Sequence, residues 1–194
     1  MVRLVLIKIL GVAATVFYLA GESVLAASVP QAITVCYDFS CKNMQLVRLN
    51  KSHWERVAGL FYLNGSAQEE RQRIKQAIAM LESIVGQYAP TYRDVGMNWP
   101  YENEELGNMP GQMDCIDESI NTTTYLRLME THGLIKYHKV LGRAYRKTLF
   151  NQHWAAEIVE MLDGQVYVVD SWFKDNGELP YLVKSEVWHD LSIY

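Results

Sequence analysis

The sequence predicts an α+β fold, and three observations carry that expectation. In the first half of the chain, apolar residues recur at intervals of three and four, as on one face of a helix. After Gly133 the period changes, giving two strand-like runs, "HWAAEIVEML" and "QVYVVDSWF". Asp163-Gly164, a hairpin signal, stands between those runs. Helices first and a sheet after is the order of an α+β domain. With 194 residues, 49% of them hydrophobic, the chain suits one well-buried domain and is too short for two. A net charge of −4 leaves no basis for a nucleic-acid surface.

The first segment is read as a targeting signal, residues 1–27, ahead of a single domain over 28–194. Arg3 and Lys8 make a basic start, an apolar run follows, and "ESVLAAS" offers small residues for cleavage near Ala26 or Ala27. The run is short against the roughly 20 residues of a membrane span. An uncleaved anchor is the other reading, if the whole of residues 2–20 is counted. Either way the remainder faces an oxidising compartment, with no membrane contact once a signal is removed. Cys36 and Cys41 lie in "VCYDFSCKN" between two β-rich flanks, so they stand near the turn of a hairpin. Outside the cytosol such a pair is expected to form a disulfide, two separate buried thiols being the alternative. Cys115 is then the odd thiol.

Two helix starts follow, with Ser52 and Glu55, then Ser66 and Glu69, at capping-box spacing. The second opens an amphipathic stripe of Ile74, Ala77, Ile78, Leu81, Ile84 and Val85, stopped near Gly86. Its charged residues, Glu70, Arg71, Arg73, Lys75 and Glu82, read as a solvated face. From Ala89 to Gly111 the signals are those of a loop; Glu102, Glu104 and Glu105 make it acidic, either a plain solvated loop or a rim selecting cationic substrates. A third helix starts at Asp114, with Asp117 at its third position and Gly133 as its stop. "TTTY" in its middle is poor helix-forming material, so tertiary burial has to hold it. Beyond Asp170 the apolar residues of the tail, among them Tyr181, Leu182 and Trp188, are placed to pack back on the core.

Cys115 sits in the first turn of that third helix, where backbone N–H groups favour a thiolate. Asp114 and Asp117 oppose this, so a cationic partner is wanted, and histidine is the usual one. His53, His132 and His138 have no obvious carboxylate partner, and His189 lies near the C-terminus. His153 opens a strand, and the next strand ends in Asp170. A two-residue turn at Asp163-Gly164 sets Asp170 opposite Glu157. A four-residue turn sets it opposite Ala155, one diagonal step from His153, roughly 7–8 Å between backbones and within side-chain reach. A three-residue turn would place the two groups on opposite faces. Gln112, just upstream of the cysteine, is a candidate oxyanion donor beside the Cys115 N–H, or else a surface loop residue. No HExxH or paired Cys-x-x-Cys supplies the usual zinc spacing.

Asp114, Cys115 and Asp117 at a helix start, with His153 and Asp170 on later strands, resemble the transglutaminase-like superfamily. Within it the closest likeness is to the bacterial transglutaminase-like cysteine proteinases, which are periplasmic. The likeness spans about residues 111–173, and Met113 departs from it, since the family usually has glycine there. It implies a nucleophile-bearing helix on an antiparallel sheet, as in transglutaminase and papain-like cores. It also implies a Cys115–His153–Asp170 triad acting on protein or peptide substrates. The resemblance also allows calcium held by Asp114, Asp117 and Glu118, but a plain helix cap is the preferred reading of these acids, and no cofactor is expected. Asp170 to Trp172, "DSW", is similar to the Asn-Ser-Trp of papain-like proteases, in which the indole shields the orienting hydrogen bond; Trp172 is given that part here. The expected function is an exported thiol hydrolase or acyltransferase. The alternative is a silent periplasmic binding or assembly module on the same fold.

Overall fold

The computed structural model describes residues 32–63, 65–99, 108–147 and 152–190. The targeting segment and the three acids of the 102–105 stretch lie outside them.

Two antiparallel sheets and a set of helices make an α+β molecule. Strands β1 (Ile33–Tyr37) and β2 (Asn43–Val47) form the first sheet, with Cys36 opposite Met44. The Cys36–Cys41 disulfide closes its turn, as expected. Alternation along β1 buries Ile33 and Val35 and leaves Thr34 outside.

Helix α1 (Lys51–Gly59) begins two residues earlier than its Ser52 signal suggests. Asn50 is the cap, and its side chain accepts from the His53 N–H at 2.7 Å. Helix α2 (Ala67–Val85) is capped by Ser66 and ends at Gly86, and all six residues of its apolar stripe are buried. Two residues of its supposedly solvated face are not solvated: Glu70 is 0% exposed and Glu82 4%. Each is turned inward by donors that helix periodicity cannot reveal. Glu70 accepts the backbone N–H groups of Lys136, Tyr137 and His138, and Glu82 that of Gly177.

A 3-10 turn (Pro90–Arg93) leads toward helix α3 (Cys115–Thr131), which starts at Asp114 as predicted. Thr122 and Tyr125 of its "TTTY" stretch are buried, so packing does override propensity there. The second sheet follows in the order β3 (His138–Lys147), β4 (Gln152–Glu160), β5 (Val166–Asp170), β6 (Tyr181–Lys184). β3 is an element that the sequence reading does not include. A short helix α4 (Ser185–His189) closes the described chain. Among the described residues no helix is long and apolar enough to cross a membrane.

The β4–β5 register decides where the site can be. Ala156 pairs with Val169 and Val159 with Val166, and the Glu160 N–H reaches the Gln165 carbonyl. The connection is thus the four-residue turn, which puts Asp170 level with Ala155. Successive residues divide between two apolar clusters, as the pleat requires. Ala156, Ile158 and Val169 join the main core with α2 and α3, whereas Ala155 and Val168 pack with Trp188 of α4. His153 and Asp170 belong by alternation to the Trp188 face.

Candidate active site

Cys115 is positioned by the docking of the disulfide hairpin onto the start of α3. The Asp114 side chain caps the helix, accepting from Ile116 and Asp117, and Asp117 accepts back from the Asp114 N–H. The same two carboxylates bind the hairpin. Ser40 donates its N–H to Asp114 at 2.9 Å, and Cys41 donates its N–H to Asp117 at 2.5 Å. These donors converge because Asp38, Phe39, Ser40 and Cys41 all have φ between 54° and 67°. Four left-handed residues in a row cost roughly 1–2 kcal/mol each without glycine. Charge-assisted hydrogen bonds to buried carboxylates offset that cost, and the disulfide spans the same turn. Asn121, two turns into α3, grips β1 from behind through the N–H and carbonyl of Cys36. Gly111 brings the chain into the site at φ 94°, with the Pro90 carbonyl where a Cβ would sit, so no other residue fits.

Cys115 is the free cysteine of the described chain, and it is 5% exposed. Burial pushes its thiol up to about 11; the backbone N–H of Trp154 opposes this at the sulfur, while the charges of Asp114 and Asp170 add to it. The helix start therefore does not by itself yield a thiolate: burial and two carboxylates outweigh the N–H groups. The Trp154 N–H belongs to the His153–Trp154 peptide, so α3 delivers the sulfur to the strand that carries the histidine.

His153 Nε2 lies 2.7 Å from Asp170 Oδ2, inside the 3.2 Å expected of an orienting hydrogen bond. The ring is 4% exposed and Asp170 1%. His153 Nδ1 is buried with no hydrogen-bond partner. The structure thus joins the histidine to the aspartate and leaves the second nitrogen open. The hydrogen bond expected from that nitrogen to Cys115 is not formed in the unliganded chain.

Trp172, given the shielding part above, lies against the His153 ring with centroids 5.0 Å apart. Phe173 packs on the same ring at 5.3 Å. The sequence missed Trp188. Its indole Nε1 donates to Asp170 Oδ2 at 2.7 Å, and it is fully buried. A tail tryptophan carries no signal of that contact, which depends on how α4 folds back over β5.

Gln112 does not lie on the surface, and its amide is occupied. The oxygen accepts from Asn98 at 2.6 Å, and the nitrogen donates to the Arg93 carbonyl at 2.6 Å. It clamps the 93–98 segment with its oxygen and one of its two amide N–H groups. Asp114 and Asp117, two of the three oxygen donors expected for calcium, spend oxygens on the hairpin and the helix cap. Glu118 faces inward among Glu82, Asp94 and Asp117, and burial first, then those carboxylates, raise it well above the usual carboxylate range.

A second buried histidine pair stands at the other end of the sheet. His138 Nδ1 meets Glu70 at 2.9 Å, so the sequence was wrong to give His138 no carboxylate. Its Nε2 meets Arg71 at 3.1 Å, and Arg71 is bound to Glu160 at 2.6 Å. An open groove of about 570 Å³ lies beside this network and reaches Met161 and Leu162. It contains no cysteine and no free histidine nitrogen, so it is separate from the Cys115 chemistry. Compared with protein-family models, curated proteins and solved structures, the chain matches none.

Proposed function

We propose that this chain is an exported thiol hydrolase or acyltransferase working on peptide or amide bonds through a thioester. The observation that carries the reading is the His153–Asp170 contact at 2.7 Å, with the second imidazole nitrogen buried and unpartnered. The Cys115 sulfur at the neighbouring Trp154 N–H supports it. So does the likeness of these residues to the transglutaminase-like cysteine proteinases, whose core is a nucleophile helix on an antiparallel sheet. The disulfide supports export, since such bonds persist in oxidising compartments.

The chemistry follows from the protonation state. Cys115 rests as a thiol, so His153 Nδ1 takes its proton as sulfur attacks the carbonyl carbon. Asp170 holds the ring by Nε2 and stabilises the imidazolium. The oxyanion forms at the helix start, near the Cys115 N–H. Collapse breaks the C–N bond, and the leaving amine takes the proton from His153. Water or a second amine then attacks the thioester, giving its proton to His153, and the thiol is regenerated. Water makes the enzyme a peptidase or amidase, and an amine makes it a transferase.

The silent-module reading draws on one observation, the low exposure of Cys115 together with its raised thiol. Hydroxylamine separates the two. Incubated with a peptide mixture and hydroxylamine, the wild-type chain should yield peptide hydroxamates, and Cys115→Ala none. Equal yields from both proteins, or none from either alongside no cleavage, would leave the binding module as the better account. Export is tested by sequencing the N-terminus of material recovered outside the cytosol, which should begin near Ala27 or Ser28.

A further inference from the structure

We infer that Trp188 is a positioning residue of the site, acting through Asp170 on the basicity of His153. This rests on the reading of Cys115, His153 and Asp170 as a thiol–base–orienter set. The geometry is specific. Asp170 Oδ2 accepts two short hydrogen bonds, from His153 Nε2 and from Trp188 Nε1, each 2.7 Å. Asp170 Oδ1 is buried with no partner. All of the carboxylate's directional bonding therefore falls on one oxygen, and the indole supplies half of it. The Trp188 ring also lies over His153, with centroids 5.7 Å apart and planes 33° apart.

Two consequences follow for the chemistry. A carboxylate with one bonded oxygen has a free rotation about its last bond unless a second donor pins it. The indole N–H is that donor, and it comes from an element in which Trp188 is 0% exposed. The same N–H withdraws charge from the oxygen facing His153. It weakens the stabilisation that the carboxylate gives to an imidazolium formed during the reaction. The charged groups around the indole are few. Arg146 of β3 has its guanidinium 4.4 Å from the ring and donates to the Trp188 carbonyl, and His189 follows on α4 with its ring at 4.9 Å. Arg146 ties the backbone of α4 to β3, so the indole is held by the sheet and does not depend on the short helix alone.

Iodoacetamide tests this without a known substrate. The rate of Cys115 alkylation is followed against pH in wild type, Trp188→Phe, Asp170→Asn and the double variant, with peptide-resolved mass spectrometry. Trp188→Phe keeps an aromatic ring and removes the N–H. It should slow Cys115 alkylation about tenfold near neutral pH and move the acid limb upward by roughly half a unit or more. In the Asp170→Asn background the same change should add less than about twofold, since the two residues act as one unit. A Trp188→Phe rate within twofold of wild type, or effects that multiply in the double variant, would overturn the proposal. If Asp170→Asn itself has no effect, the triad reading falls with it; if only Trp188→Phe has none, the triad stands and the proposal fails. Should Trp188→Phe not fold, the indole N–H resonance of Trp188 decides. It should move upfield in Asp170→Asn, and an unmoved resonance would mean that the indole only fills space.

Discussion

Two buried histidine–carboxylate pairs lie among the described residues, and they differ in what is left over. At His138 both ring nitrogens are occupied, one by Glu70 and one by Arg71, and Arg71 is closed off by Glu160. Glu70 also accepts three backbone N–H groups. Burial pushes its carboxyl up, but the His138 hydrogen bond and the N–H groups outweigh it and hold Glu70 below the usual range. At His153 one nitrogen is bound to Asp170 and the other has no partner. The first arrangement is saturated and joins α2 to β3 and β4. The second keeps a buried nitrogen without a partner, on the strand whose Trp154 N–H meets the Cys115 sulfur. An orphaned polar atom costs stability, so under the proposed function this nitrogen is the one the reaction would use.

The widest separation between the pairs should come from removing each carboxylate. Asp170→Asn is expected to lower acyl transfer by about 10³–10⁴-fold while the fold persists, because the imidazole loses its orienter and counter-charge. Circular dichroism and peptide turnover measured on one preparation check both halves of that statement. Glu70→Ala is expected to do the reverse. It should cost about 3–5 kcal/mol of stability by leaving His138 Nδ1 and three backbone N–H groups short of a partner. The Cys115 alkylation rate per folded molecule should stay near wild type. A Glu70→Ala chain that is stable but unreactive would erase the distinction.

Next in size is the hairpin that holds the thiol. Replacing Cys36 and Cys41 together by Ser should cost about 2–3 kcal/mol in chemical denaturation. The left-handed turn then loses its covalent closure, and the caps it gives to Asp114 and Asp117 should loosen with it. Faster exchange of the Ser40 and Cys41 amides, with slower acyl transfer, is the expected pair of readings. In the wild-type chain, one titratable thiol under denaturing, non-reducing conditions checks that the bridge excludes Cys115.

The smallest effect is set by acids buried behind the site. Burial pushes Glu82 up to about 7, Asp94 up to about 8 and Glu118 well above the usual carboxylate range, with neighbouring carboxylates adding to the last two. A carboxyl whose folded value is raised binds protons that the unfolded chain releases. Its stabilisation is complete below the unfolded value, near 4, and is lost as pH rises through about 7–8. Glu70 has the opposite sign, contributing above its unfolded value and failing as pH falls through its lowered one. Melting temperature should therefore peak at mildly acidic pH and decline toward pH 8. Glu118→Gln should flatten that decline, stabilising the chain by about 1 kcal/mol at pH 8. An unchanged slope would show that Glu118 is not where the proton is held.

Periodicity and local chemistry made much of this molecule legible. The stripe of α2, the Asp114 cap of α3, the hairpin cysteines and the strand pair around Asp163-Gly164 are local patterns, each set by neighbours within a few residues. Local patterns also carried Cys115, His153 and Asp170 to the right kinds of element. They could not choose among turns of two, three and four residues, and that choice alone decides whether Asp170 reaches His153. Nor could they see Glu70 and Glu82 turning inward, Gln112 clamping the 93–98 segment, or Trp188 arriving at Asp170. Each of these is a hydrogen bond between groups separated by 14 to 95 positions in the chain. Such a bond has no signature at either end, because a buried polar group is stable only once its partner has been folded against it. Sequence set which residues are candidates for the chemistry; packing decided that His138 has both ring nitrogens bound and His153 only one.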